Sequence, residues 1–191
     1  MNAILCPVVA DVSSVDFRGA MRHLTGGVSV ITAGRGSEIT GMTVTSVTSL
    51  SVDPPTLIVS INRDASSFPL VKRLGAFGVN ILNADQIEIA ERFAGKGGLK
   101  GASRFAGAEW FTAASGVPLL ADALAALDCE VEEIIERHSH GIVVGRVRQM
   151  RSSAREAALA YWHGRYVAVD QDEDVARLAD VSVPSRSRRV V

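Results

Sequence analysis

The sequence predicts a mainly β fold with short α-helices, closed as a small antiparallel barrel, and three observations carry that reading. Runs rich in Val, Ile, Leu and Thr recur at residues 28–33, 41–53, 56–62, 76–82, 127–131, 141–147 and 166–169, which makes about six or seven strands. The links between most of them are short, which favours antiparallel neighbours over crossover connections. No GxGxxG turn follows any of these strands and regular strand–helix alternation is missing, which disfavours a doubly wound parallel sheet. Strands with a few scattered helices close most naturally into a barrel, with the helices at its ends and flank.

Size and charge fit one domain. The chain has 191 residues, 47% of them hydrophobic, with a net charge of -1, enough for a sizeable core and too neutral for a surface built around nucleic acid. Residues 14–170 read as the domain, 1–13 as a flexible N-terminus and 171–191 as a tail. Arg186, Arg188 and Arg189 lie in that Ser-rich tail and read as a frayed end. Cys6 and Cys129 are too few and too far apart for a metal or CxxC motif, and both are expected as reduced thiols. The start lacks a basic n-region, and no run approaches the ~20 apolar residues of a membrane helix, so the expected location is the cytoplasm.

In chain order, Ser13 and Asp16 form a capping-box variant that opens a helix with Phe17, Ala20, Met21 and Leu24 on one face. Gly26 and Gly27 are expected to end it. The strand at 28–33 turns at Gly34–Gly36 into the stretch 41–55, GMTVTSVTSLSVDPP, so the first two strands form a hairpin. Pro54 and Pro55 stop the second strand, because proline cannot donate to a ladder and keeps the preceding residue extended. After the strand at 56–62, Ser66 or Ser67 caps a short helix with Pro69 in its first turn. Following the strand at 76–82, Asn83 and Gln86 make a second capping box, opening a helix whose Ile87, Ile89, Ala90 and Phe93 are expected to face inward. Gly95 to Gly98 end it in a mobile, polar loop. At 127–131 apolar and acidic residues alternate, the pattern of a strand with one wet face.

The stretch 41–55 is the most informative part of the chain. Six of its fifteen residues are Ser or Thr, mixed with Val, Leu and Met. β-Branched residues favour extension, while the hydroxyls suit a strand edge that touches a polar ligand. The next strand also ends in polar groups, Ser60 and Asn62, followed by Ser66 and Ser67. An anionic, partly aromatic ligand such as a flavin phosphate suits that set; the alternative is that the hydroxyls only fill a half-exposed sheet.

Several marks, in this order, resemble the flavin reductase family with the FMN-binding split barrel. They are Phe17-Arg-Gly-Ala-Met21, the Gly-Val-Ser-Val-Ile-Thr strand, Gly41-Met-Thr with Ser46 and Ser49, Asp53-Pro-Pro55, and Ile61-Asn-Arg63 with Ser66 and Ser67. They continue through Phe77-Gly-Val-Asn80, Phe93-Ala-Gly95, Arg104-Phe105 and Ser139-His140 before a Gly145-x-Val147 strand. Singly each is weak, and together they cover nearly the whole chain. The resemblance implies an NAD(P)H-dependent flavin reductase, an oxidoreductase of the kind that supplies diffusible reduced flavin to a separate partner monooxygenase. FMN or FAD and NADH or NADPH are the implied cofactors, and the sequence does not choose within either pair.

The family likeness also implies roles. Met42, Thr43, Val44, Thr45, Ser46 and Ser49 would lie along the flavin ring and ribityl chain, with backbone N–H groups meeting the ring where negative charge develops on reduction. Ser60, Asn62, Ser66 and Ser67 would stand at the ribityl and phosphate end; for the serine pair the alternative is a plain helix cap. His140 would line the nicotinamide side, or else be a strand-end histidine bonded to backbone. The family often has Asp-His here, and Ser139 replaces the acid. Gly164, Arg165 and Tyr166, with Tyr161, resemble a C-terminal segment near the nicotinamide cofactor. Phe93 is a further candidate, although it reads first as the apolar face of its helix, and Trp110 and Phe111 read as core or dimer contacts. His23, His138 and His163 read as surface or structural residues and not as a metal site. A homodimer is expected, because flavin laid on outer strands leaves an apolar face to cover. Two other readings stay open: a flavin-holding electron-transfer module on the same barrel, and an oxidase of the pyridoxamine-phosphate type.

Overall fold

A computed structural model describes residues 11–154 and 157–170, and the statements that follow concern those residues. The elements are α1 (Ser14–Met21), β1 (Gly26–Gly27), β2 (Ser29–Arg35), β3 (Glu38–Val44), β4 (Thr48–Ser51), β5 (Thr56–Asn62), α2 (Ser67–Leu74) and β6 (Ala76–Ile81). They continue with α3 (Ile87–Phe93), β7 (Trp110–Thr112), β8 (Pro118–Leu120), β9 (Ala125–Arg137), β10 (His140–Ser152), β11 (Ala158–Trp162) and β12 (Arg165–Val169).

Seven strands make one antiparallel sheet in the order β3-β2-β6-β9-β10-β5-β4. Its two edge strands are neighbours in the chain, with only Thr45, Ser46 and Val47 between them. Four Cα steps of ~3.8 Å reach at most about 15 Å. Seven strands laid flat at ~4.8 Å spacing would hold their edges about 29 Å apart. The sheet therefore curls until its edges meet, and the result is a barrel left open along one seam, a split barrel. Ser46 Oγ donates to the Ser60 carbonyl at 2.9 Å and ties the crossing to β5.

That crossing corrects the expectation of one continuous strand over 41–53, since the chain leaves the ladder at Thr45 to change edges. Other details differ for physical reasons. α1 ends at Met21, capped at its start by Ser13, and Gly26 and Gly27 are not its stop but a short strand paired with Ala160 and Tyr161 of β11. Phe17, Met21 and Leu24 are exposed rather than packed inward. On α3, Ala90 and Phe93 are buried while Ile87 is 41% exposed. Asp128 is not on a wet face: it is 1% exposed, and its carboxylate accepts bonds from the Ser115 N–H at 3.0 Å and from the Ser115 hydroxyl. β9 and β10 run 13 residues each, well past the apolar stretches, and cross-strand Arg148–Glu130 and Arg146–Glu132 pairs join them along the outward side.

Both faces of β2 are covered, which explains its nearly unbroken apolar run. Ile31 and Ala33 join Val59, Ile61, Phe77, Val79 and Val143 inside the barrel, where α2 adds Phe68 and Val71. Val28 and Val30 face the other way, into a second cluster with Leu82, Phe93, Phe105, Leu119, Leu120 and Leu159. Gly145 is needed where β10 passes Phe77, whose ring would overlap any Cβ there. Cys129 is buried, and burial followed by the neighbouring Asp128 charge pushes its thiol up to about 12. Cys6 and the tail arginines lie outside the described residues.

Candidate functional site at the barrel seam

The seam is bounded by strands that each have a partner on one side only. β3 bonds to β2 and β4 to β5, so about half of the backbone groups on each edge face the opening. Side chains alternate along β3. Thr40 and Met42 point to the start of α2, where the Thr40 and Ser66 hydroxyls meet at 2.8 Å and Ser67 Oγ donates to Met42 Sδ at 3.2 Å. Ser66 precedes α2 but makes no capping bond with its side chain, and Ser67 is fully buried. The plain-cap alternative for this pair is therefore not what the geometry shows.

Gly41 and Thr43 point the opposite way, onto α3. Thr43 Oγ1 donates to the Ala90 carbonyl at 2.6 Å, and a Cβ on Gly41 would come within 2.8 Å of the Phe93 ring and 2.6 Å of the Ile31 carbonyl. Phe93 itself is 2% exposed and stacks edge-on with Phe105 at 5.1 Å, close to Trp110. As a cofactor candidate it has no ring face left to offer; its place is in the core. Arg104 reaches across from the loop after α3 and donates to the Gly41 carbonyl at 2.7 Å and to the Leu99 carbonyl at 2.8 Å, which braces that glycine-rich loop against the open edge.

Two groups of candidates follow from these directions. At one end, Asn62 of β5 lies directly opposite His140 of β10 in the ladder, with Ser60 two residues away. His140 Nδ1 is 2.9 Å from the Ser139 hydroxyl, which stands where the family often has an acid. The turn before it is fixed from outside: Arg63 N–H donates to the Ser139 carbonyl at 2.9 Å, and the Arg63 guanidinium donates to the His138 carbonyl and pairs with Glu136 at 3.0 Å. At the other end, Thr43, Val44 and Thr45 line a cavity of about 210 Å³ with Tyr161 and Tyr166 of the C-terminal hairpin. The two phenol rings meet at 5.3 Å. Burial raises the Tyr166 phenol above its ordinary value, with the Glu91 charge adding to it, so it stays a proton donor at neutral pH.

Gly164 and Arg165 form and follow the tight turn of that hairpin, with His163 at φ 50 and Gly164 at φ 79, and both are exposed beyond the cavity. Ser49 sits on β4 opposite Leu57 and faces solvent. His23 and His163, read from the sequence as surface or structural residues, are exposed and touch at 3.1 Å, which pins the segment after α1 to the hairpin turn. Thr40 and Arg104 belong to the seam and were not among the site residues chosen from sequence. Thr40 could have been found from the two-residue period that puts it beside Met42; Arg104 could not, because its contact depends on the path of the loop.

Residues 21–170 match the model of the flavin reductase like domain. The chain belongs to that family. It is 35% identical over 157 residues, 82% of this chain and 89% of the relative, to the FMN reductase (NADH) RutF of Agrobacterium fabrum. Among solved structures, it superposes with a TM-score of 0.76 and 32% identity on BorF, the flavin reductase component of a bacterial two-component tryptophan halogenase, covering 84% of this chain and 100% of that one. The styrene monooxygenase flavin reductase of Pseudomonas putida S12 gives 0.71 and 29%, over 82% of this chain and 99% of that one. A further neighbour, the Streptomyces globisporus NADH:FAD oxidoreductase SgcE6 with NAD and FAD fragments, gives 0.76 and 30%, over 86% of this chain and 100% of that one. The split barrel and the oxidoreductase class inferred from the sequence marks are those of the family.

Proposed function

We propose that this flavin reductase oxidises NADH, reduces FMN or FAD at the barrel seam, and releases the reduced flavin to a separate monooxygenase. The observation that carries the reading is the seam: an open strand edge with neutral hydroxyls and backbone groups, flanked by His140 and Asn62 at one end and by Tyr161 and Tyr166 at the other. Bound flavin would supply the hydride acceptance. The protein residues would do the positioning. Met42, Thr45, Ser60, Asn62 and Ser66 would hold the ring and ribityl chain, and Ser139 would orient His140 toward the nicotinamide side. Neutral donors fit the edge of a ring that gains negative charge on reduction, and the stretch from Thr43 to Ser49 contains neither a covalent attachment residue nor an aromatic side chain.

Diffusible flavin has a thermodynamic correlate. Hydrogen bonds of ~0.5–1.5 kcal/mol each hold a ligand without trapping it, and slow product release would limit turnover. No helix of the described residues is long and apolar enough to cross a membrane, and a cytoplasmic protein fits the proposal. The deciding experiment measures NADH and NADPH oxidation with added FMN, FAD and riboflavin, alongside dialysis of the purified protein. Turnover with NADH and loss of flavin on dialysis are expected. A protein that stays yellow after dialysis and ignores both nucleotides would be a flavin-holding module instead.

A further inference from the structure

The His140 ring is exposed, and its Nδ1 lies 2.9 Å from the Ser139 hydroxyl. Its direction therefore depends on Ser139 and on the turn that carries Ser139. That turn is tight: Arg137 and His140 are ladder partners, with only His138 and Ser139 between them. His138 has a φ of 49, in the left-handed region where a two-residue hairpin loop usually places glycine. A β-carbon makes that conformation unfavourable, so surrounding contacts must hold it.

Those contacts come from two sides. Inside the barrel, a Cβ on Gly141 would overlap the Phe68 ring of α2, so the start of β10 already sits against the helix and has no room to move inward. Outside, one residue takes both carbonyls of the turn. The Arg63 backbone N–H donates to the Ser139 carbonyl at 2.9 Å, and the Arg63 guanidinium donates to the His138 carbonyl at 3.0 Å. Arg63 follows the end of β5, where Asn62 is the other ladder partner of His140. Glu136, paired with the guanidinium at 3.0 Å, lies on β9 opposite Gly141. Arg63 thus reaches from β5 over the first residues of β10 to β9, bridging the strand that presents His140. Lys72 of α2 bonds the other oxygen of the Glu136 carboxylate at 2.7 Å and fixes the far end of the bridge. A guanidinium suits this place because its planar fork offers separate N–H groups, in fixed directions, to a carbonyl and a carboxylate.

We propose that Arg63 is a positioning residue for the reaction: by holding the His138–Ser139 turn it keeps the Ser139 hydroxyl, and through it the His140 ring, aligned toward the nicotinamide. The inference rests on His140 facing that side. In this role Arg63 acts through His140 and not by contact with either cofactor.

The test is a double-mutant cycle. Arg63→Ala, Arg63→Lys, His140→Ala and the double variant Arg63→Ala with His140→Ala are compared with the parent by NADH turnover with FMN, FMN titration and thermal melting. Arg63→Ala removes the guanidinium but keeps the backbone bond to Ser139, so its turnover is expected to fall by roughly tenfold, less than the ~10²-fold available from full misplacement. FMN affinity should stay within about threefold. Arg63→Lys keeps the charge beside Glu136 and should restore the melting temperature while regaining only part of the turnover. In the His140→Ala background, adding Arg63→Ala should change turnover by less than about twofold, because no ring remains to be aimed. The same fold-loss in both backgrounds would overturn the proposal and make Arg63 a structural or direct nucleotide contact. Full turnover in Arg63→Ala, or a fall in its FMN affinity that matches the fall in turnover, would also overturn it. His140→Ala with full turnover would instead remove His140 from the nicotinamide side, and the proposal with it. The single variants thus tell the two failures apart.

Discussion

His140 presents two different nitrogens: Nδ1 is engaged by the Ser139 hydroxyl at 2.9 Å, and the ring is otherwise exposed beside Asn62. If the imidazole guides the nicotinamide, His140→Ala is expected to cut NADH-dependent turnover by up to ~10²-fold, the cost of misplacing reacting groups. Flavin affinity should stay within a factor of two to three by titration, on the order expected when no direct flavin bond is lost. Equal losses in both would move His140 into the flavin pocket. Ser46 has a double part, since its hydroxyl bonds the Ser60 carbonyl across the seam. Ser46→Ala should weaken flavin binding by less than about tenfold, a loss of under ~1.4 kcal/mol. It should also lower the melting temperature by a few degrees, as loss of one ~0.5–1.5 kcal/mol bond implies. Gly41→Ala tests packing alone: its Cβ would meet the Phe93 ring and the Ile31 carbonyl, an overpacking cost of ~1–3 kcal/mol, or roughly 2–12 °C in melting temperature. Cys129, with its thiol pushed up to about 12, should not react with a disulfide reagent at pH 8 until the protein unfolds, a result read directly by thiol titration of a Cys6→Ala variant.

The β9–β10 hairpin shows why some elements were legible and others were not. Its central residues, 127–131 and 141–147, follow a strand pattern because they line or back the barrel. Beyond them, residues 132–137 and 148–152 are mostly charged or polar, so hydrophobic periodicity is weak there. The turn is held by Glu136, whose carboxyl lies below its usual 4.5 because Lys72 donates a hydrogen bond to it and the Arg63 and Lys72 charges add. A depressed carboxyl contributes stability that is present above about 4.5 and is lost as pH falls through its lower folded value. Glu136→Gln should therefore flatten the acid limb of the melting-temperature profile, and added salt should shrink the difference because all three side chains are solvent-accessible. A pH profile identical to the parent at low salt would remove this network from the acid response. On β3 the residue types were readable but their directions were not. The six hydroxyls of 41–55 read as one polar lining, yet Thr43 turns to Ala90 and Ser46 to Ser60, while Thr40 just before them turns to Ser66, because a strand alternates faces and the crossing at Thr45 changes edges.

For the whole molecule, the sheet as a closed object followed from strand count and short links, while the identity of neighbours did not, since pairing partners far apart in sequence leave no local signal. The exposed apolar residues Phe17 and Met21 of α1, Leu24 just after it, and Trp162, Val167 and Val169 of the C-terminal hairpin support the proposal of a homodimer. Light scattering at micromolar concentration is expected to give twice the chain mass, and a fully active monomer would exclude it. The seam also bears on how the chain is made. β2 and β5 emerge within the first 62 residues, yet in the finished sheet they are separated by β6, β9 and β10, which come later. A ribosome thus exposes two tethered hairpins, β2–β3 and β4–β5; β2 gains its partner when β6 ends at Ile81, but the gap between β6 and β5 stays open until β10 ends at Ser152. At ~5–20 residues per second that interval lasts several seconds. During it the nascent chain carries two apolar strand edges with nothing between them, and a chaperone that masks them would be expected to raise the yield of folded protein.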